Sequence, residues 1–235
     1  MSITDNIATL HQQEEKIRSE TLYIIETDTY LKVQLDLLQL ALDMVLTLST
    51  KHHNKNDDEL TLQLLGIRSF NFASSSLKLA LSGYHQPAFV LLRDTLETTF
   101  LIEYFSHYPE QIKIWRDSDN EKIKTQFKPA TIRKELFKKD KIEGRAKIYA
   151  LFSEYASHAS PRGFVMTASN EISLIGPFSD KKLLKAFLEE LAQRYVLFAM
   201  QFSQHFDNIG LELLAHKEVF LTNLDLLWSE RARRK

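Results

Sequence analysis

The stretch Leu81-Ser82-Gly83-Tyr84-His85-Gln86-Pro87-Ala88-Phe89-Val90-Leu91-Leu92-Arg93-Asp94-Thr95-Leu96-Glu97, "LSGYHQPAFVLLRDTLE", decides the fold. A helical run from about 58 to 82 stops at Gly83, and Pro87 falls in the first turn of the next helix, where its missing N–H leaves no intrahelical bond unmade. The two arms therefore form an antiparallel hairpin. Residues 89 to 92 of the second arm are all apolar, and Leu96, Phe100, Leu101 and Ile102 extend that coverage around the helix. A helix so clothed lies inside a bundle. Arg93 and Glu97 are set into it four residues apart on one face, so they pair with each other or serve a polar cleft.

Working outward, "KHHNKNDD" (51–58) is a polar break in which Asp57 or Asp58 is placed to cap the first arm. Upstream, residues 5–25 carry one narrow apolar stripe. Asp28 or Thr29 then caps a helix to about 49 with two stripes: Leu31, Leu35, Leu38, Leu42 and Val45, and Val33, Leu37, Leu40, Met44 and Leu48. Two stripes require cover from two sides, within the bundle or from a second subunit. Downstream, the chain from Arg116 to Gly144 is polar, basic and interrupted by Pro129, which reads as short helices with some packing from Phe127, Ile132, Leu136 and Phe137. A helix at about 145–157 follows, and "SPRGFVMTASNEISLIGPF" (160–178) is a long loop or short hairpin. Ser179 or Asp180 caps a long helix with the stripe Leu184, Leu188, Leu191, Tyr195, Phe198, Phe202 and Phe206, and a terminal helix with a basic tail closes the chain.

The expected fold is all-α: an antiparallel helical bundle of long helices with a small basic helical protrusion and one long loop. Residues 1–56 form N-terminal helices that pack on the bundle or in a dimer interface, and residues 57–235 form the bundle, with the basic insertion at about 113–147. Composition agrees, since 6 Gly and 5 Pro in 235 residues are too few for the turns of a many-stranded β protein. The chain has no Cys, which removes disulfides, thiolate metal sites and Cys nucleophiles and fits a reducing compartment. No apolar run of about 18 residues is present and the N-terminus has no secretory pattern, so a cytoplasmic protein with no membrane partner is expected.

The net charge of -1 conceals a segregated layout. Residues 1–60 hold 5 Lys/Arg against 11 Asp/Glu, and residues 113–147 hold 12 against 6. Such a dipole guides self-association or contact with nucleic acid, and a solvated Lys-rich connector gives the same count.

Chemistry-bearing signals are few. Phosphate-loop, dinucleotide and nucleophile-elbow patterns are missing, and no cofactor is expected. Glu stands four residues before His at Glu103/His107, Glu154/His158 and Glu212/His216, a spacing open to metal ligation and equally to simple helix pairing. Of these, Glu154 and His158 are the weak metal candidates. In "YALFSEYASHASPRG" (149–163), His158 sits at a helix C-terminus, where the macrodipole favours its protonated form. The candidate site residues are thus Arg93, Glu97, His158 and Arg162.

The hairpin "RSFNFASSSLKLALSGYHQPAFVLLRDTLETTFLIEYF" (68–105), with the later helix end "YALFSEYASHASP" (149–161), resembles the HEPN-like helical-bundle proteins of bacteria and archaea. The resemblance spans roughly residues 65–210. It implies an α-helical bundle, often dimeric, associated with toxin–antitoxin or anti-phage systems. Active members are metal-independent ribonucleases with an Arg, four to six residues and a His. Here no Arg is followed by His at that spacing. The reading is therefore a non-catalytic protein acting by self-association and by binding a protein or RNA partner, with a ribonuclease that assembles His158 with Arg93 or Arg162, or a small-ligand or metal-binding bundle, as the alternatives.

Overall fold

The computed structural model describes residues 5–157, 160–206 and 209–234. The chain is all-α apart from one small hairpin. Two long helices open it, α1 (Asp5–Thr27) and α2 (Thr29–Lys51), followed by α3 (Asp57–Leu81) and α4 (His85–His107). Short helices α5 (Glu110–Arg116), α6 (Asn120–Gln126), α7 (Pro129–Asp140) and α8 (Gly144–Phe152) come next, and α8 runs into a π-helical turn, Ser153–Ser157. A 3₁₀ turn, Pro161–Thr167, leads to a two-stranded hairpin, β1 (Ala168–Ser169) with β2 (Ile172–Ser173), before α9 (Lys181–Gln204) and α10 (Leu211–Arg234).

The helix starts follow local chemistry. Asp28 is the whole connection between α1 and α2, and its carboxylate accepts from the N–H groups of Tyr30 and Leu31. Asp180 caps α9 in the same way. The cap of α3 is Asn56, not Asp57 or Asp58: its side chain accepts from the N–H groups of Asp58 and Glu59. The two aspartates and Glu59 occupy the first turn instead, where negative charge suits the helix dipole.

Residue pairings give the helix directions. Ser76 Oγ donates to the Ala88 carbonyl (2.7 Å) and Arg68 pairs with Asp94 (2.5 Å), so α3 and α4 are antiparallel along their length. Lys51 pairs with Glu212 and Thr47 meets His216, so α10 runs back antiparallel along α2. The long helix α9 differs: Tyr30 reaches Glu189 while His52 packs on Phe206, and Phe89 packs on Phe187 while His205 bonds the Ile102 carbonyl. α9 is therefore parallel to both α2 and α4, which the long crossover between residues 108 and 180 permits.

Both stripes of α2 are filled within the chain. Leu31, Leu37, Leu38, Met44, Val45 and Leu48 are buried in one continuous core with α9, and α3 and α10 pack on α2 as well. The approach of α3 to α9 is close at Gly66, where a Cβ would overlap the Phe202 ring and stand 2.6 Å from Ser49 Oγ. The basic segment forms short helices as expected, but α7 lies along α4 and does not stand clear of it, because Ile132 and Leu136, one turn apart, are buried there. Phe127 is buried too, whereas Phe137 is 40% exposed.

Candidate functional site

α8 runs antiparallel to α4, with Phe152 opposite Phe89 and Arg145 opposite Glu103. That register sets Tyr149 against Arg93 and Glu97. Arg93 Nε donates to Glu97 Oε1 (3.1 Å) and its Nη2 to Tyr149 Oη (2.5 Å), while Tyr149 Oη donates to Glu97 Oε1 (2.9 Å). The triangle is closed and partly buried, with side-chain exposures of 23% for Arg93 and 29% for Glu97. Arg133, from α7, lies over the same ring, its guanidinium carbon 3.7 Å from the centroid. Two guanidiniums thus lie against one tyrosine ring, and of the two Arg93 is the one paired with Glu97.

One to three turns along, Arg145 is 9% exposed and joins two carboxylates. Its Nε and Nη2 donate to Glu103, and its Nη1 donates to Asp140 Oδ1 at 2.8 Å. The Arg145 hydrogen bond is the main reason the Asp140 carboxyl is pushed down to about 2. Burial works against the Arg145 charge, but its bonds to Asp140 and Glu103 outweigh burial and raise its pKa above the ordinary arginine value. A cleft of about 360 Å³ opens beside this network between α4, α8 and α9, walled by Leu96, Phe100, Ile148 and Leu197.

The sequence candidates separate. Arg93 and Glu97 are paired, as their spacing predicts. Arg162 sits on the 3₁₀ turn and pairs with Glu154 at 3.0 Å, with the Arg162 side chain 68% exposed. Gly163 beside it packs near Gln86, two turns before Arg93 on α4, and among the described residues the ion pairs keep Arg162 with Glu154 and Arg93 with Glu97. His158, which the ribonuclease alternative assembles with Arg93 or Arg162 and which is a weak metal candidate with Glu154, lies outside the described residues. Tyr155, on the π-helical turn after α8, borders a different pocket with Phe89, Phe152 and Met166. The register explains this: a helix with residue 152 opposite 89 carries 149, not 155, to Arg93.

In the other two Glu/His pairs the carboxylates form their ion pairs elsewhere, Glu103 with Arg145 and Glu212 with Lys51. Among the described residues no three metal-ligating side chains converge, and no helix is long and apolar enough to cross a membrane. Arg133 and the Arg145 network were not legible as a site. The available signal was the stripe Ile132/Leu136, which fixes the face of α7 that Arg133 shares with Phe137.

Comparison with models of known protein families, with curated proteins and with solved structures finds no match to this chain.

Proposed function

We propose that this chain is a non-catalytic, HEPN-like helical protein that binds RNA through the surface of its short basic helices and associates with a second copy of itself. The observation that carries the RNA reading is the charge on that surface. Lys113, Lys128, Lys134, Lys139 and Lys141 are exposed, and none has a carboxylate partner among the described residues. Cations left without carboxylates on one connected stretch favour a polyanion, whose binding releases counterions. The arginines of the ribonuclease alternative are each already neutralised, Arg93 by Glu97 and Arg162 by Glu154. The resemblance supplies the setting, toxin–antitoxin or anti-phage defence.

A labelled single-stranded RNA titrated with the full chain should bind with an affinity that falls steeply as salt rises, by roughly one log unit per log unit of salt for each phosphate contacted. The RNA should emerge uncut. Absence of binding at 50 mM salt would remove the reading, and cleavage that disappears in His158→Ala would replace it with the ribonuclease.

Self-association finds no support in α2, whose stripes are filled. Its support is the exposed apolar residues of the hairpin segment. Ile172, Leu174 and Ile175 are exposed, Ile175 completely, as are Ile7 and Leu10 of α1. Sedimentation at tens of micromolar should show a dimer that Ile175→Glu dissociates. A wild-type protein that stays monomeric throughout that range removes this half of the proposal.

A further inference from the structure

Within the basic face, α7 and α8 enclose a groove of about 460 Å³. Ala130, Arg133, Lys134 and Phe137 line it from α7 and Ala146 and Lys147 from α8. The α7 residues fall at i, i+3, i+4 and i+7, a single helical face, while Ile132 and Leu136 are turned to α4. The face is thus fixed by the core on its other side.

The groove combines three properties. Its charge is uncompensated: Lys147 has Glu143 at 3.4 Å and Arg145 has Glu103 and Asp140, but Arg133 and Lys134 have no carboxylate among the described residues. Arg133 Nη1 is in addition buried without an acceptor. It has an aromatic platform, since Phe137 is 40% exposed and has the Lys141 ammonium 5.5 Å from its centroid. Two alanines keep its walls low.

We propose that this groove is a nucleotide subsite for single-stranded RNA, in which a base stacks on Phe137 and the adjoining phosphate is held by Arg133 and Lys134. The inference rests on the reading that the basic face binds RNA. Arg133 and Phe137 are one helical turn apart, about 5–6 Å between Cβ atoms, so neighbouring groups of one nucleotide reach both. Base stacking on an aromatic ring and a basic track for the backbone are the usual parts of a single-strand site.

The test is fluorescence anisotropy with a labelled 12-nucleotide oligouridylate and the full chain. Phe137→Ala and Lys134→Glu should each weaken binding about tenfold, and Phe137→Trp should retain it. Both positions are exposed, so unchanged circular dichroism and melting temperature accompany the loss. A 12-base-pair RNA duplex should bind more weakly than the single strand. If the wild type binds but Phe137→Ala or Lys134→Glu binds equally well, or the duplex binds as tightly, the subsite is overturned while the basic-face reading stands. If a polyglutamate peptide displaces the RNA at equal concentration, the groove belongs to an acidic protein partner and the nucleotide assignment is overturned. A wild type that binds no RNA overturns both.

Discussion

Arg145→Met is expected to lower the stability of the protein by about 2–3 kcal/mol, less than the loss of a fully buried pair because the two carboxylates it strands are partly exposed. For a chain of this size that is a fall in Tm of roughly 4–12 °C. The side chain is 10% exposed, and its removal strands the carboxylates of Glu103 on α4 and Asp140 at the end of α7, so the join between α4, α7 and α8 loosens together. The effect should depend on pH in a defined direction. Asp140 titrates near 2 in the folded chain against an ordinary 3.8, so its ion pair contributes fully above about pH 4 and is lost as pH falls towards 2. The gap between variant and wild type should therefore narrow across that interval in urea melts. A gap of less than 1 kcal/mol at pH 7 would show that the network does not hold these helices.

Gly83→Ala should cost about 3 kcal/mol, a fall in Tm of roughly 6–12 °C. Two effects combine. Gly83 has φ of +86°, a conformation costing an L residue about 1–2 kcal/mol. Its added Cβ would also lie 2.6 Å from the Phe178 carbonyl oxygen and 2.7 Å from the Phe178 nitrogen. Those are main-chain atoms, so no rotamer change relieves the overlap. The segment before α9 is docked at this turn: Phe178 N–H donates to the Gly83 carbonyl, and buried His85, whose pKa is lowered by burial, donates from Nε2 to the Phe178 carbonyl at 3.1 Å. Phe178 should come away, so faster proteolysis between residues 160 and 180 accompanies the lower Tm. A variant with wild-type melting and wild-type proteolysis would mean that this docking contributes little.

The sequence by itself determined the elements. Gly83 and Pro87 mark the α3–α4 turn, Asp28 and Asp180 cap their helices, and the apolar spacing identifies α2, α4 and α9 as central. These features arise from neighbours in the chain, because φ preference, capping and helical period act over a few residues. The pairing of Arg93 with Glu97 was legible for the same reason, being one turn long.

Only the tertiary structure decided which faces meet. The third member of that pair, Tyr149, is 52 residues from Glu97, and its place follows from the register of α8 on α4. The junction of Arg145 with Glu103 spans 42 residues. The direction of α9, the filling of both α2 stripes within one chain, and the exposure of Phe137 beside buried Leu136 are of the same kind. Periodicity says that a helix has an apolar face, and the same face satisfies several partners at similar burial. The choice among them is made by the whole core packing at once, so Phe137, alike in the sequence to its buried neighbours, ends beside Arg133 at the surface groove.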